Sequence, residues 1–170
     1  MSLNQSLEAR YDALCDEFFD AFYTYYPAHA TRQGFHQYDN HLGHFRRDEI
    51  AEALRKMKAV QSQVAQIDPR SMDHLHALDH PVLTTRIKRE IYWVESWRHW
   101  EYNPLFYKWA ITDGTFNLVS RSFAPPAERL KSLIARERDI PNVLSAAREN
   151  LVNPPPELTE QAIRLFTGAR

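Results

Sequence analysis

A helical spacing of apolar residues runs through almost the whole sequence, and it limits the chain to an all-α fold. The longest stretch that keeps this period lies between Pro81 and Glu101 and holds three of the chain's four tryptophans. On a helical wheel at about 100° per residue, apolar side chains cover about half of its circumference. These residues are Leu83, Ile87, Ile91, Trp93, Val94, Trp97 and Trp100. So wide a stripe predicts a long, aromatic-rich central helix that packs on two sides within a bundle.

Prolines and capping residues divide the rest of the sequence into predicted helices. Helices are predicted from near Asn4 or Ser6 to Tyr26, from Pro27 to Gly34, from Asp48 to Ile67, from Pro104 to Arg121, from Pro126 to Asp139, from Pro141 to Leu151, and from Glu157 onward. A short helical turn from Ser71 to Leu78 takes Ser71 as its cap. The segment from Phe35 to Arg47 lacks a period and predicts a structured loop.

No strand-like alternation and no fixed-length repeat competes with this pattern. We therefore predict an all-α, multi-helix bundle of about seven main helices plus short turns. A length of 170 residues suits one domain with a proper core, so residues 1–170 are expected to form a single helical domain.

Charge and composition argue against two classes of partner. The formal net charge is −1, and basic residues are interleaved with acids, which disfavours binding to nucleic acid. No segment reaches the roughly 18–20 apolar residues that cross a bilayer. A cytoplasmic location is the default expectation, because the N-terminus lacks an apolar signal-peptide core. Met1-Ser2-Leu3 also resembles a leader from a cloning vector, which leaves an export signal ahead of it open.

No catalytic motif assembles in this sequence. Cys15 is the single cysteine, and its position beside the apolar side of the first helix favours a buried, inert thiol over a nucleophile. The sequence contains no G-x-S-x-G elbow and no glycine-rich phosphate loop. The candidate carboxylates are explained equally well by helix capping or solvated faces. Whether the chain takes part in an enzyme therefore stays open at this point.

The sequence contains eight histidines, which are candidate metal ligands. One group comprises His36, His41 and His44, and a second comprises His74, His76 and His80. Zinc needs three or four converging side chains, and the H-E-x-x-H signature is absent. The proline after His80 also makes a helical alignment of His76 with His80 doubtful. We therefore predict surface or loop histidines, no metal site and no cofactor.

Two charged residues lie inside the apolar stripe of the central helix. Arg86 and Glu90 are four residues apart, so they can pair on the helix surface. Because a buried charge is costly unless it is paired, the sequence predicts a buried polar pair that fixes helix register. The alternative is that the pair forms the polar floor of a cleft.

From Pro27 onward the sequence resembles the N-terminal part of the bacterial family catalogued as domain of unknown function 885. The early part, PAHATRQGFHQYDNHL, is similar to the family's opening Pro-x-x-Ala-Thr followed by Gly and Tyr-Asp. The resemblance is closer in NPLFY at Asn103–Tyr107 and in the run of proline-started helices from Phe123 to Ile163. These are matches of order and spacing, without a catalytic signature.

The resemblance implies a helical N-terminal region of a longer, zinc-dependent, peptidase-like protein with a deep cleft. It implies that the family's metal-binding His-Glu motif lies in a C-terminal half, and no position of this chain matches it. Zinc is thus implied only for longer members. The expected function is a non-catalytic domain that contributes cleft or lid surface, with the missing C-terminal catalytic region as partner.

Within that hypothesis, the cleft surface is predicted on the irregular loop and the residue just before it, because loops on rigid scaffolds often carry binding residues. The candidates are Arg32, His36, Tyr38 and Asp39. The other interpretation of these four is a local hydrogen-bond cluster that fixes the loop. The alternative function is a stand-alone helical interaction module that binds an unknown partner through an exposed apolar face. Its last helix lacks cover, so the isolated chain is expected to self-associate through that helix, or the helix is expected to fray.

Overall fold

The computed structural model describes residues 6–168, and these form helices, turns and loops without a strand. The eight α-helices are α1 (Leu7–Tyr25), α2 (Pro27–Gln33), α3 (Arg47–Val64), α4 (His74–Ile91), α5 (His99–Tyr102), α6 (Pro104–Ser120), α7 (Pro126–Asn150) and α8 (Pro156–Gly168). Seven of them are seven residues or longer, so the prediction of an all-α fold with about seven main helices is confirmed. The suspected leader Met1-Ser2-Leu3 lies outside the described residues.

The chain forms two compact units. The first contains the described residues up to Phe22 together with Ala51–Trp97, and the second contains Tyr23–Ile50 and the described residues from Arg98 onward. Helices α1 and α3 contribute residues to both units. A single domain over residues 1–170 stays a prediction.

The first unit is built around apolar faces of α1, α3 and α4. Its buried side chains recur every three or four residues along each helix, which is the spacing of one helix face. They include Tyr11, Leu14, Phe18, Met57, Val60, Val64, Leu83, Ile87 and Ile91. Cys15 is half-buried in α1 and free, and burial raises the pKa of its thiol.

The second unit is organised around α6, which is contacted by α2, α5, α7 and α8. Asn103 begins this helix because its side-chain oxygen accepts a hydrogen bond from the Leu105 amide at 3.0 Å, next to Pro104. Gly114 lies on its buried side, where an added Cβ would come within 2.6 Å of Leu42 Cδ2. The glycine thus lets the loop that carries Leu42 approach the helix.

Two of the helix starts predicted at prolines are wrong. Pro81 lies inside α4, which begins seven residues earlier at His74, and Pro141 lies inside the single 25-residue helix α7. Both prolines are exposed. A proline removes one backbone donor and crowds the preceding turn, and on the solvent side water can bond the carbonyl that is left without a partner.

The predicted central helix from Pro81 to Glu101 is interrupted. After α4 the backbone widens into a π-helical turn, Tyr92–Trp97, and Arg98 then takes a left-handed conformation with φ of 48°. Trp93 and Trp97 are consequently 38% and 47% exposed, whereas Trp100 is buried. The prediction that the tryptophans form one core stripe is therefore wrong for two of the three.

Candidate functional site

A polar cleft with a volume of about 330 Å³ lies in the second unit. Its walls come from the loop before α3, the first turn of α3, and the C-terminal half of α7. The lining residues are His41, Gly43, His44, Phe45, Arg46, Glu49, Asp139, Asn142, Val143, Ser145, Ala146 and Glu149. This cleft is the best candidate for a functional site in the described part of the chain.

The loop reaches the cleft because two apolar side chains anchor it on either side of His44. Leu42 and Phe45 are almost fully buried. Between them, Gly43 has a φ of 140°, and a Cβ at this position would lie 2.8 Å from the Tyr25 carbonyl oxygen. Only glycine fits this backbone without strain. The anchors leave His41 and His44 beside the cleft, with ring centroids 5.0 Å apart in a T-shaped arrangement.

Two of the cleft carboxylates already accept hydrogen bonds from the loop and from helix α7. Glu49 Oε1 lies 3.0 Å from His44 Nδ1, and Glu49 Oε2 accepts a hydrogen bond from the Arg46 amide at 3.0 Å. Asp139 Oδ2 accepts a hydrogen bond from the Leu42 amide at 2.8 Å. Its other oxygen accepts one from Asn142 Nδ2, also at 2.8 Å. These bonds shape the cleft and leave the two acids less free for chemistry.

His41 differs from the other cleft side chains because its buried Nδ1 has no hydrogen-bond partner among the described residues. Burial, followed by the neighbouring His44 and Arg136, lowers the pKa of His41 to about 4. The imidazole is therefore neutral at pH 7. Together with Ser145 and Asn142, it equips the cleft to hydrogen-bond a small polar group.

Among residues 6–168, no three His, Cys, Asp or Glu side chains come together in a way that could hold an ion. Both ring nitrogens of His76 face carboxylates, at 2.7 Å from Asp73 and 3.2 Å from Asp12. The Nε2 of His80 lies 3.2 Å from the Val64 carbonyl oxygen.

None of the four predicted cleft residues lines this cleft. Asp39 is buried, with Oδ1 accepting a hydrogen bond from the Thr31 hydroxyl at 2.5 Å and Oδ2 lying 2.9 Å from His36 Nδ1. Tyr38 contributes its backbone carbonyl to the same network. Arg32 is exposed and faces Asp113 at 3.4 Å. The structure thus brings His36, Tyr38 and Asp39 together as a network that holds the loop, with Arg32 outside it.

The centre of this network is Arg136 of α7, which sequence reasoning missed. Its side chain is fully buried. It donates to the carbonyl oxygens of His41, Gly114 and Tyr38 and to the Thr31 hydroxyl, and it lies 3.5 Å from the Asp39 carboxylate. Burial lowers the pKa of the guanidinium to about 10, and the Asp39 charge opposes that shift. The guanidinium is therefore still charged at pH 7.

A signal for Arg136 is present in the sequence. The residue falls within the apolar 3–4 spacing formed by Leu133, Ile140 and Val143. This is the same kind of interruption that singled out Arg86 and Glu90. In the structure Arg86 Nε lies 3.0 Å from Glu90 Oε1, and the two side chains are 30% and 12% exposed. The Arg86 guanidinium also lies 4.8 Å from the centre of the Phe22 ring, so the pair is half-buried in the first unit and does not line the cleft.

No helix formed by the described residues is both long and apolar enough to cross a bilayer. No curated protein matches the sequence. A solved structure described as "a putative lipoprotein of unknown function from Shewanella oneidensis" matches with a TM-score of 0.79 and 24% sequence identity. The match covers 94% of this chain and 29% of that one, so the chain spans less than a third of that protein's length. At this identity the likeness concerns the fold.

The family model described as "Bacterial protein of unknown function (DUF885)" matches residues 27–170, from the first residue of α2 to the end of the sequence. It includes the loop, α6 and α7, which together build the cleft and the Arg136 network. Because this match covers most of the sequence, the chain belongs to the DUF885 family of bacterial proteins.

Proposed function

We propose that the chain is a non-catalytic helical domain of a longer, metallopeptidase-like protein and contributes surface to a binding cleft or its lid. The observation that carries this proposal is the bonding of the cleft, in which Glu49 and Asp139 are already committed to holding backbone amides. The length of the solved relative, of which the chain covers 29%, supports a larger architecture. The peptidase-like character rests on what the sequence resemblance implies, and it supplies the reaction class for the proposal; the matching family model is described only as a bacterial protein of unknown function.

Hydrolysis and metal content test the non-catalytic part. Protein purified without a histidine tag should hold well under one equivalent of zinc by elemental analysis. It should not cleave a mixed fluorogenic peptide library above the blank, with or without added zinc. A full equivalent of zinc, or hydrolysis that survives repurification, would overturn the proposal.

The reading frame beyond the codon for Arg170 tests the longer architecture. An uninterrupted frame that encodes a His-Glu-x-x-His-like motif would support a parent metallopeptidase. A stop codon at that position would contradict it and favour the alternative function.

The alternative is a stand-alone interaction module that binds through α8. Its support is the exposure of apolar side chains on that helix, with Ile163 58%, Phe166 43% and Leu165 38% exposed. A monomer by sedimentation, with α8 fully protected from hydrogen exchange, would contradict this alternative.

We propose a cytoplasmic location, which is the default expectation from the sequence. The solved relative is described as a lipoprotein, a description that concerns that protein. Fractionation of the native host tests the location: recovery of the protein with membranes after a salt wash would contradict the proposal.

A further inference from the structure

Helix α4 carries a second apolar stripe that faces solvent. Leu75, Leu78 and Val82 are 73%, 57% and 66% exposed, and they follow one another at spacings of three and four residues. The buried stripe of the same helix, which contains Leu83, Ile87 and Ile91, lies on a different side. A helix with two apolar sides and only one of them covered is a candidate for an interaction surface.

The exposed stripe continues with the spacing of a coiled-coil seam. Thr85, Arg89 and Tyr92 extend the alternation of three and four residues, and Tyr92 is 51% exposed. A strict alternation of this kind lets two helices keep one seam in contact. A shallow groove of about 570 Å³, lined by Pro81, Val82, Thr85, Arg86 and Arg89, follows the middle of the seam.

The charged residues beside the seam favour a second copy of this chain as the binding partner. Asp79 and Arg86 flank it on the same side, one heptad apart. When two copies of a helix pair in antiparallel orientation, residues of the same flank face each other, so Asp79 of each copy meets Arg86 of the other. Asp79 is exposed and has no ion-pair partner among residues 6–168. Glu90 already lies within ion-pair distance of two guanidiniums, those of Arg86 and Arg89, which leaves one positive charge in excess.

We infer that the chain forms a symmetric dimer in which α4 pairs antiparallel with α4 of a second copy. Leu75 then packs against Tyr92 of the second copy, and Val82 packs against its Thr85. The aliphatic stem of Arg89 covers Leu78 of the second copy while its guanidinium stays in water. Each contact occurs twice, as a two-fold interface requires. The seam uses no residue that lines the cleft or belongs to α8, so the inference does not rest on the proposed function.

Sedimentation velocity over a concentration series tests the dimer. The wild-type chain should show a concentration-dependent monomer–dimer equilibrium. Val82→Glu should raise the dimer Kd at least tenfold because it places a carboxylate in the seam, and Asp79→Arg should raise it about tenfold because it turns two attractive pairs into repulsive ones. Circular dichroism checks that both variants keep the wild-type helix content.

Ile163→Glu is the matched control, since Ile163 is similarly exposed on α8. It should leave the dimer Kd unchanged. A wild-type chain that stays monomeric at every concentration would overturn the inference. So would a dimer that Ile163→Glu abolishes and Val82→Glu leaves intact.

Disulfide trapping tests the orientation in a Cys15→Ser background. A mixture of Leu75→Cys and Tyr92→Cys proteins should cross-link under mild oxidation, because antiparallel pairing brings these positions together. Leu75→Cys alone should cross-link at least tenfold less, since its two copies then lie at opposite ends of the seam. Equal or stronger cross-linking by Leu75→Cys alone would indicate parallel pairing and overturn the antiparallel arrangement.

Discussion

At the scale of single residues, Arg136 holds together parts of the second unit that are far apart in sequence. The loop from Phe35 to Arg46 contains one short 3₁₀ turn, His36–Tyr38, so few of its carbonyls are satisfied by regular structure. Arg136 provides donors for two of them, and it also bonds the Gly114 carbonyl in α6. A planar guanidinium with five donors suits this task, and a lysine ammonium does not.

Replacement of Arg136 by alanine should lower the free energy of unfolding by about 3–5 kcal/mol, because it leaves the buried Asp39 carboxylate without its cation. Urea unfolding followed by circular dichroism measures this loss. Arg138→Ala is the matched control on the same helix, because Arg138 is exposed and lacks an ion pair in the described part of the chain. The control should change stability by less than about 0.5 kcal/mol. Equal effects of the two variants would contradict a central role for Arg136.

His41 makes stability depend on pH. Its folded-state pKa of about 4 lies below the ordinary 6.5, so the unfolded chain binds more protons between these values. The contribution of His41 is therefore complete above pH 6.5 and is lost as the pH falls toward 4. Between pH 6.5 and pH 4, we expect His41→Gln to lose about 2 kcal/mol less free energy of unfolding than the wild-type chain.

Unfolding measured at a series of pH values checks this expectation, with His74→Gln as control because His74 is exposed. Half-buried His99, whose pKa burial also lowers to about 4, acts in the same direction and is present in both variants. The prediction would be contradicted if His41→Gln lost as much stability at acid pH as the wild-type chain does.

At the scale of elements, the start of α4 is set by a capping side chain and not by a proline. The Asp73 carboxylate accepts hydrogen bonds from the Leu75 and His76 amides at 2.9 Å and 3.1 Å. These bonds satisfy two of the amides at the start of the helix that have no partner within it. With Asp73 in place, the helix begins at His74 and passes through Pro81.

Asp73→Ala should therefore lower the free energy of unfolding by about 1 kcal/mol. Ser71→Ala is the matched control, because the sequence predicted Ser71 as a cap and the structure places it at the end of the 3₁₀ turn Pro69–Ser71. Thermal unfolding of the two variants shows whether Asp73 or Ser71 caps the helix. A larger loss for Ser71→Ala would indicate that the helix begins as the sequence predicts.

The same comparison explains which helix starts could be predicted. Pro27, Pro104 and Pro126 each lie in a first turn, and their helices begin where the sequence predicts. The end of α2 is also confirmed, since Gly34 takes the left-handed cap conformation. Pro81 and Pro141 give the same local signal, but they lie inside longer helices. A proline is compatible with a first turn and with an exposed helix interior, and local sequence alone does not distinguish the two.

At the scale of the whole molecule, helices α6 and α8 represent the two extremes of burial in the second unit. Eight residues of α6 are buried, whereas Ala162 is the buried residue of α8. Local unfolding is easiest where little apolar surface is covered. We expect the amides of α8 to exchange with deuterium at least about a hundredfold faster than those of α6. Mass spectrometry of peptic fragments measures this, and equal protection of the two helices would contradict it.

The fold class followed from apolar periodicity because that signal is repeated in every long helix. The cleft could be predicted only as a segment: the irregular loop does line it, but through His41 and His44 and not through the four predicted residues. Arg136 determines which loop residues line the cleft, because it draws the first half of the loop inward. This arginine lies about a hundred positions further along the chain. A contact across that separation has no local signature, although a charged residue within an apolar spacing was a usable clue.

The large sequence separation between Arg136 and the loop also affects how the protein folds during synthesis. Synthesis at roughly 5–20 residues per second delivers the loop several seconds before the arginine that holds it. Ordering the loop also requires closure of a long chain segment, which slows folding. The cleft should thus be among the last regions to mature, after its helices have already formed.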